Sequence, residues 1–424
     1  MGFKFIHASD IHLDSPLRGL ERYDGAPVEL IRGATRKAFL NLIELCLKEK
    51  TDFLLMAGDL YDGDWKDYNT GLFFISQVSR LREAGIEVFV VRGNHDAASR
   101  ITRKMRLPEN VTDFSSNRPE TVLLESLGVA IHGYGYPSAD VRDNLSLSYP
   151  DPITGYFNIG LLHTAAEGRE GHASYAPCSV KELIAKGYDY WALGHVHKRE
   201  IINQEPWIVF PGNIQGRNIR EVGNKGCTVV QVEDKVVQSV EHCDLDVLRW
   251  CLCLVDATGA VSVENILDIA RQELEKELSD YKGKFLAVRF VIQGACPVHE
   301  NLLKNPGYLT ENLRALASDY GFGEVWVEKI KIQTRMMGDL EKVASQYHPI
   351  SSLLQFIRGL STDRETLEGL LSELESLKNI LPPEFYDYEN LNLGDEQLVL
   401  QLIPDVEEMI LTRLLSKEEF TDEV

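Results

Sequence analysis

The sequence lacks long hydrophobic runs. No stretch approaches about 18 uninterrupted apolar residues, which excludes a transmembrane helix. It also lacks internal repeats and low-complexity segments, and its first residues do not form the apolar core of a signal peptide. With 44% hydrophobic and 26% charged residues, the composition excludes disordered, collagen-like and coiled-coil chains. We therefore expect a cytoplasmic globular protein with no membrane partner.

Cysteine is also scarce. The seven cysteines are odd in number and form no CxxC pair, which argues against a disulfide framework and against a thiolate zinc site. Two of them, Cys251 and Cys253, stand at period two in a strand-like run and are expected in the core.

Basic residues are outnumbered. There are 44 Lys and Arg against 65 Asp and Glu, a net charge of −21 that would normally count against a nucleic-acid partner. The acidity is concentrated in residues 338–424, which hold 19 of the acidic and 6 of the basic side chains. That segment carries −13 and the preceding residues only −8, so the charge argues against DNA binding mainly for the C-terminal segment.

The length of 424 residues predicts two or three domains. In residues 1–243, apolar runs and amphipathic stretches predict a β-α-β-α-β beginning at 3–8, 35–50, 53–57, 71–83 and 87–91. Later apolar runs at 157–162, 188–193, 207–210 and 227–232 predict a second half-sheet. We therefore predict an α/β (α+β) fold in which two sheets form a sandwich with helices packed on it.

A second unit is predicted for residues 244–337. Strands and helices alternate there at 249–255, 263–278, 285–292, 310–320 and 324–332, which indicates a small α+β capping domain. Residues 338–424 have a helical pattern, clearest at 372–381 and 405–415. We expect this pattern to be broken at Pro382-Pro383 and at Pro404.

Several predicted strands end in residue types that bind metals. The ends carry Asp10 and His12, then Asp59 and Asp62, then Asn94, His95 and Asp96, and later His163, His195 and His197. Because the carboxyl ends of strands in an open sheet converge, we expect these side chains to share one crevice. Two of these Asp, the Asn and four of the His would form a mixed oxygen and nitrogen set that suits Mn, Fe or Zn. Each loop alone could be a simple turn or strand exit, but their joint and ordered occurrence favours a metal centre.

The ordered pattern DxH, GDxxD, GNHD, a lone His and GHxH resembles the calcineurin-like metallophosphoesterases across about the first 215 residues. The opening Ile-His-Ala-Ser-Asp-Ile-His-Leu-Asp, the Gly-Asn-His-Asp loop and the Gly-His-Val-His-Lys loop are similar to the SbcD-type DNA repair exonucleases, in particular to their bacterial YhaO-like branch. The resemblance implies a four-layer αββα catalytic domain over residues 1–243, followed by the cap and the helical region.

The resemblance also implies roles. Asp10, His12, Asp59 and His197 would hold one metal ion, and Asp59, Asn94, His163 and His195 the other, with Asp59 as the bridge. The cofactor would be two divalent ions, manganese in the first place with iron or zinc as alternatives. His95 would stabilise or protonate the leaving oxygen, supported by Asp62. Archaeal and eukaryotic relatives in the nuclease branch have His at the position of Asp62, whereas the wider superfamily has Asp. A phosphatase therefore stays an alternative function for this chain.

Basic residues accompany these motifs. Arg92, Arg100, Arg103 and Lys104 lie around the Asn94-His95 loop, Lys198 follows the last ligand, and Arg217 follows a Pro-Gly-Asn turn. Such residues are often only a solvated surface. Beside a phosphodiesterase centre, they could instead bind backbone phosphates without reading the base sequence.

We interpret the chain as a two-metal phosphodiesterase that hydrolyses DNA, as an exonuclease in DNA repair. One alternative is a phosphatase or phosphodiesterase for phosphoproteins or small nucleotides, because the metal site alone does not choose the substrate. Against protein phosphatases, Asp62 is followed by Gly63-Asp64 rather than by Arg-Gly. The other alternative is a non-catalytic DNA-binding scaffold subunit. The presence of all seven predicted ligands and of His95 argues against it.

The C-terminal segment has an amphipathic pattern. Its apolar residues recur at helical spacing: Leu367, Leu370, Leu371, Leu374, Leu377 and Leu381. This face could pack on the protein's own cap or dock on a partner helix pair. The resemblance favours docking, since SbcD-type nucleases use C-terminal helices to hold the coiled-coil base of an SMC-like (SbcC-type) ATPase. A homodimer is also left open.

We predict that truncation before Gly338 leaves a folded, metal-dependent nuclease that no longer co-purifies with its cognate ATPase, because the docking helices are removed. Circular dichroism, nuclease assays and co-purification with the full chain as control would measure this. Unfolding of the truncated chain would place the segment in the core, and retained ATPase binding would place the docking surface in the first 337 residues.

Overall fold

The computed structural model describes residues 2–15, 25–62, 68–98, 106–168, 175–281, 283–321, 323–337, 348–360, 363–378 and 396–418. The chain divides into two compact units. Unit one comprises Met1–Leu252, Lys276–Arg289 and Ala317–Lys329, and unit two comprises Cys253–Glu275, Phe290–Leu316 and Ile330–Val424. The domain boundaries at 243 and 337 remain a prediction.

The described residues form fifteen strands. In chain order they are β1 (Gly2–Ala8), β2 (Phe53–Ala57), β3 (Glu87–Val91), β4 (Val111–Asp113), β5 (Glu120–Leu124), β6 (Val129–Gly133), β7 (Phe157–His163), β8 (Tyr190–Gly194), β9 (Glu200–Gln204), β10 (Trp207–Phe210), β11 (Gly226–Glu233), β12 (Val236–Asp244), β13 (Leu248–Asp256), β14 (Phe285–Ala295) and β15 (Val325–Arg335).

The helices among these residues are α1 (Val28–Glu49), α2 (Asn69–Glu83), α3 (Asn94–Ala98), α4 (Val180–Ala185), α5 (Val263–Asp280), α6 (His299–Lys304), α7 (Pro306–Tyr320), α8 (His348–Gly359), α9 (Arg364–Lys378) and α10 (Glu396–Glu418). None of those helices combines the length and the hydropathy needed to span a bilayer.

Two six-stranded sheets make up most of unit one. The first has the order β12-β11-β1-β2-β3-β4, and its strands β1 to β4 run parallel to one another. The second has the order β5-β6-β7-β8-β10-β9, with β6, β7, β8 and β10 parallel. In both sheets the strand at one edge or at both edges pairs antiparallel with its neighbour. The central parallel strands therefore place their carboxyl ends, and the loops that follow, side by side.

The main core lies between the two sheets. Strand β2 contributes Phe53 and Leu55, β7 contributes Phe157, and β8 contributes Tyr190, all fully buried or nearly so. The alternate residues of β2, such as Leu54, face a second cluster shared with α1 and α2. Because both faces of β2 are covered, its sequence is a continuous apolar run rather than an alternating one.

The outer face of the second sheet is covered more thinly. Trp191 of β8 packs there with Leu183 of the short helix α4 and with loop residues such as Tyr149. Ser179 caps the start of helix α4, and its side chain forms a capping box with Glu182. The architecture is thus helices, sheet, sheet and a thin helical layer, which confirms the predicted two-sheet α/β sandwich.

Several predicted elements agree closely with the structure. Strands β2 and β3 have the predicted bounds, and the strand and helix order predicted for residues 249–332 recurs as β13, α5, β14, α7 and β15. These three strands form a sheet in that order. Strands β4, β5, β6, β9 and β12 were not predicted. Strands β4, β5, β9 and β12 are short or half-buried and so lack a strong hydrophobic pattern. Strand β6 is the exception, since all five of its residues are buried.

The prediction that Pro404 breaks a helix is wrong. Helix α10 runs continuously from Glu396 to Glu418. Proline lacks the backbone N–H that would donate within the helix, but its fixed φ of about −65° is a helical value. The helix therefore continues through residue 404 with one backbone hydrogen bond missing. Pro382 and Pro383 lie outside the described residues.

Within unit two, the C-terminal helices bury one face each. Leu354 and Ile357 of α8, Leu367 of α9 and Val399 of α10 are buried, while Phe356 is 61% exposed. An ion pair between Arg358 and Glu407 joins α8 to α10 with an N–O distance of 2.7 Å. Of the predicted apolar face, Leu370, Leu371 and Leu374 are half-buried, and the side chains of Leu377 and Leu381 lie outside the described residues.

We predict that Phe53→Ala lowers the free energy of unfolding by about 3–5 kcal/mol, because it leaves a cavity in the inter-sheet core. Phe53 is fully buried, and its ring centroid lies 5.1 Å from that of Phe5 and 6.1 Å from that of Phe89. Urea denaturation followed by circular dichroism would measure the change. Leu72→Ala in α2, where the leucine is 56% exposed, is the control and should change stability by less than about 0.5 kcal/mol. Equal losses would contradict the assignment of the core.

Candidate metal centre

The candidate metal centre lies where two sets of parallel strands end. These ends deliver the seven predicted ligands: Asp10 and His12 after β1, Asp59 after β2, Asn94 after β3, His163 at the end of β7, and His195 and His197 after β8. The two sheets meet through Asp10, whose carboxylate accepts the backbone N–H of His195 at 3.2 and 3.0 Å. All seven predicted ligands therefore lie together.

Four of these residues have a left-handed backbone that side-chain-bearing residues rarely adopt. The φ angles are 51° at Asp10, 46° at His12, 51° at Asp59 and 104° at His195. Hydrogen bonds fix the first two loops to each other, from Asp10 N to Gly58 O and from His12 N to Asp59 O, both 3.0 Å. Such conformations concentrate at functional sites, where the surrounding structure holds them.

Two glycines permit the close approach of the loops. A Cβ at Gly93 would lie 2.2 Å from Asp59 Oδ1, and a Cβ at Gly58 would lie 2.4 Å from His163 Nδ1. Gly58 also has a φ of +91°, which disfavours any side chain. The glycines of the Gly-Asp and Gly-Asn-His motifs are therefore required by packing against the ligands.

The side chains form two neighbouring clusters. Cluster one is Asp10, His12 and His197, and cluster two is Asp59, His163 and His195; in each, one ligand atom per residue lies within 4.8 Å of the others. In cluster one, His197 Nε2 lies 3.3 Å from His12 Nε2 and 3.5 Å from Asp10 Oδ1.

Asp59 belongs to cluster two and also lies close to cluster one. Its Oδ2 is 3.5 Å from His163 Nε2 in cluster two and 4.0 Å from His12 Nε2 in cluster one. Its other oxygen accepts the backbone N–H of His95 at 3.0 Å, which fixes the carboxylate. This is the position that a bridging ligand would need, and the assignment of Asp59 as the bridge stays a prediction.

The donor set fits divalent metal ions. His163 Nδ1 can only donate to the Ala57 carbonyl, 2.9 Å away, so in the neutral ring Nε2 presents a lone pair to the site. That nitrogen lies 3.1 Å from Asn94 Oδ1. Lone pairs of imidazole, carboxamide and carboxylate thus converge in a buried space, an arrangement that a cation neutralises.

The electrostatics favour the metal-binding forms of the two carboxylates and of His12. Burial by itself raises the pKa of Asp10 and of Asp59, but the surrounding histidines outweigh burial and hold both pKa values below the ordinary range. Burial lowers the pKa of His12 to about 4, so its ring is neutral near pH 7. Deprotonated carboxylates and neutral imidazoles are the forms that coordinate metals. Burial alone would lower the pKa of His163 and of His197, but the neighbouring carboxylates Asp59 and Asp10 outweigh it and raise both pKa values to about 9.

His95 and Asp62 form a pair at the edge of cluster one. His95 Nδ1 lies 2.7 Å from Asp62 Oδ1, and 42% of the His95 side chain is exposed. The hydrogen bond to Asp62 raises the pKa of His95. Asp62 is itself held by Ser15 Oγ, which donates to Oδ2 at 2.6 Å. An exposed, carboxylate-supported imidazole beside the clusters is suited to donating a proton.

Sequence reasoning assigned no role to two buried acids. Asp96 accepts the backbone N–H groups of Leu60, Tyr61 and Gly93 at 3.1, 2.9 and 3.1 Å, and so fastens the second and third loops together. Glu221 accepts a hydrogen bond from His197 at 2.8 Å. The GNHD motif placed Asp96 in the predicted crevice without a role, whereas no sequence motif distinguishes Glu221 from a surface glutamate.

The predicted basic residues have different surroundings. Arg92 pairs with Asp113 through its guanidinium group, with Nε 3.1 Å from Oδ2. Lys198 is exposed. Arg217 is mostly buried, with 15% of its side chain exposed, between Asp62 at 3.5 Å and Glu221 at 3.2 Å. Arg100, Arg103 and Lys104 lie outside the described residues. A substrate-binding role for these residues stays a prediction.

Comparison with known families agrees with this geometry. The family model of calcineurin-like phosphoesterases matches residues 3–199, and a model described as the middle domain of metallophosphoesterase YhaO matches residues 250–335. An uncharacterised metallophosphoesterase, YhaO of Bacillus subtilis, is 35% identical over 378 residues, which cover 88% of this chain and 90% of that protein. The chain is a calcineurin-like metallophosphoesterase of the YhaO type.

More distant relatives carry other names. A DNA double-strand break repair protein Mre11 from Methanopyrus kandleri is 27% identical over 239 residues, covering 52% of this metallophosphoesterase and 50% of that protein. Among solved structures, a dimetal phosphatase from Danio rerio matches with a TM-score of 0.33 and 10% identity, over 55% of this chain and 93% of the other.

We predict that Asp59→Ala abolishes tight binding of both metal ions, because this carboxylate lies within 4.0 Å of ligand atoms in each cluster. Elemental analysis and Mn²⁺ titration of the purified chain would measure this loss, together with phosphodiesterase activity. Asp143→Ala, in an exposed loop, is the control and should bind metal as the wild type does. Normal hydrolysis by Asp59→Ala in Mn²⁺ would show that the centre is misassigned.

Proposed function

We propose that this metallophosphoesterase is a two-metal phosphodiesterase that hydrolyses DNA, an exonuclease of DNA repair. The observation that carries the chemistry is the contact between His95 and Asp62 at the exposed edge of two adjoining ligand clusters. The site thus has a buried part for cations and an accessible part where a leaving group can be protonated.

In the proposed reaction, cluster one together with Asp59, and cluster two together with Asn94, hold two divalent ions, with manganese as our proposal. When bound, such a pair lowers the pKa of water and neutralises charge on a phosphate. His95 donates a proton to the leaving oxygen of the scissile phosphodiester. Asp62 keeps His95 protonated through its 2.7 Å contact and fixes the orientation of the ring.

The choice of DNA as substrate rests on the relatives. Archaeal proteins from Methanopyrus kandleri and Sulfurisphaera tokodaii, both named DNA double-strand break repair protein Mre11, are 27% and 25% identical to this chain over 239 and 263 residues. They align with little more than half of it, so the inference concerns mainly the catalytic part. The exposed Lys198, which follows the last ligand, is a candidate contact to a backbone phosphate.

We further propose that the chain acts in the cytoplasm with an SMC-like ATPase of the SbcC type, which would dock on the C-terminal helices. Exposed apolar residues support this proposal, since Phe356 of α8 and Met409 of α10 are 61% and 46% exposed. The acidity of this segment favours a protein partner over direct DNA contact.

One observation favours a second function, a phosphatase or a phosphodiesterase for small nucleotides. Archaeal and eukaryotic relatives in the nuclease branch have a histidine where this chain has Asp62, and the carboxylate here pairs with both His95 and Arg217. A substrate panel separates the alternatives: labelled single- and double-stranded DNA, a phosphopeptide and a cyclic nucleotide, each with the purified full chain and Mn²⁺. Cleavage of the phosphopeptide alone would contradict the nuclease proposal and support a phosphatase. Binding of DNA without hydrolysis of any of the four would indicate a scaffold subunit.

We predict that His95→Ala retains both metal ions and DNA binding but loses about 10²–10⁴-fold in cleavage rate, because the general acid is removed. Asp62→Asn should lose part of this, since its amide supports a cationic imidazole less well. Metal content by elemental analysis and turnover of labelled DNA would be measured on the same samples, with Asp143→Ala as control. Loss of one metal equivalent in His95→Ala would make His95 a ligand instead.

A further inference from the structure

A buried ion pair lies behind cluster one, on the side away from the metal-facing atoms. It joins Glu221 to Arg217, four residues earlier in the same loop, with Oε1 and Nη2 3.2 Å apart. Glu221 is 9% exposed, and 15% of the Arg217 side chain is exposed. Burying such a charged pair costs desolvation energy, and an apolar contact of similar size would not carry this cost. The pair therefore calls for an explanation beyond packing.

The carboxylate of Glu221 is held by four donors. Oε1 accepts from His197 Nδ1 at 2.8 Å and from Arg217 Nη2 at 3.2 Å, and Oε2 accepts from Asn213 Nδ2 at 2.8 Å and from the Arg217 backbone N–H at 2.7 Å. Two oxygens of a carboxylate can accept all four bonds, whereas an amide offers an acceptor on one side only. The position therefore requires a carboxylate.

The contact sets the tautomer of His197. A carboxylate can only accept, so at the 2.8 Å contact His197 Nδ1 is the donor, and in the neutral ring Nε2 keeps its lone pair. Arg217 Nη2 also lies 3.3 Å from Nδ1, but both of these donors bond to the same oxygen, Glu221 Oε1. Nε2 is the atom that faces cluster one, 3.5 Å from Asp10 Oδ1 and 3.3 Å from His12 Nε2. The backbone of His197 is held too, because its carbonyl accepts Lys225 Nζ at 2.9 Å.

The same loop reaches the acid-base pair. Arg217 Nη1 lies 3.5 Å from Asp62 Oδ2, the oxygen opposite the one that contacts His95. Arg217 thus spans the carboxylate behind the metal ligand and the carboxylate behind the proposed general acid. One ion pair orients side chains on both parts of the site.

We propose that Glu221, fixed by Arg217 and Asn213, is the positioning residue of His197. It selects the Nδ1–H tautomer and aims Nε2 at cluster one, and Arg217 extends the same constraint to Asp62. The proposal rests on the proposed function only in taking His197 as a metal ligand. Replacing a carboxylate that accepts a hydrogen bond from a metal-binding histidine commonly lowers metal affinity by about 10- to 100-fold.

The test is calorimetric titration of the metal-free full chain with Mn²⁺. The wild type should bind two equivalents tightly. Glu221→Gln should keep one tight equivalent and weaken the other about 10- to 100-fold, because the amide cannot accept from His197 on one oxygen and from Asn213 and Arg217 on the other. Binding of both equivalents with wild-type affinity by Glu221→Gln would overturn the proposal.

Glu328→Gln is the matched control. Glu328 is also 9% exposed and pairs with Arg289 at 2.6 Å, but no residue of either metal cluster contacts it among the hydrogen bonds of the described chain. It should lose similar stability and still bind two equivalents. If both variants lost metal affinity equally, the cause would be general destabilisation of the protein, and the proposal would be overturned.

A measurement on the wild type covers the case in which Glu221→Gln does not fold. In ¹⁵N-histidine-labelled protein loaded with diamagnetic Zn²⁺, the nitrogen shifts of His197 should indicate a protonated Nδ1 and an unprotonated Nε2. The reverse pattern would overturn the proposal. Two Mn²⁺ sites without DNA cleavage would refute the proposed function and leave this inference standing, whereas a wild type that binds no metal would refute both.

Discussion

The functional site depends on one junction between the two sheets, the acceptance of the His195 backbone N–H by the Asp10 carboxylate at 3.2 and 3.0 Å. Asp10 follows the first sheet's strand β1, and His195 follows the second sheet's strand β8. The inter-sheet core, with Phe53 and Tyr190 fully buried, holds the sheets in this register. Because both strand sets end at this junction, residues from distant parts of the chain come together, and within each cluster one ligand atom per residue lies within 4.8 Å of the others.

This convergence has energetic costs that local structure offsets. Left-handed backbone at Asp10, His12 and Asp59 is intrinsically unfavourable, and burying carboxylates is expensive unless each is paired or hydrogen-bonded. The loops offset these costs with backbone donors: His95 N–H reaches Asp59, and three backbone N–H groups reach Asp96. Asp96 shows the balance, because burial and the nearby charge of Asp59 raise its pKa to about 7, whereas histidines keep the pKa of Asp59 low. Backbone donors therefore hold the buried carboxylates Asp59 and Asp96 in place.

Surrounding side chains determine what each motif residue can do. Without Asp62, His95 would be an ordinary exposed imidazole, and without Glu221 the ring of His197 could turn either nitrogen toward Asp10. Arg217 contacts both carboxylates, at 3.5 Å from Asp62 and 3.2 Å from Glu221. The short motifs mark the side chains that cluster at the strand ends, and buried charged residues without a motif of their own form ion pairs with them.

The sequence by itself determined the order of the main strands, the two-sheet class of fold and the seven candidate ligands, because buried parallel strands are continuous apolar runs and the ligands follow them directly. It could not determine the half-buried edge strands such as β9 and β12, whose pattern is weak, or the continuity of helix α10 through Pro404. It also could not distinguish a surface arginine from Arg217, or a surface glutamate from Glu221. Only the tertiary structure decided these, since burial and pairing arise when a loop 24 residues beyond His197 folds back against that ligand.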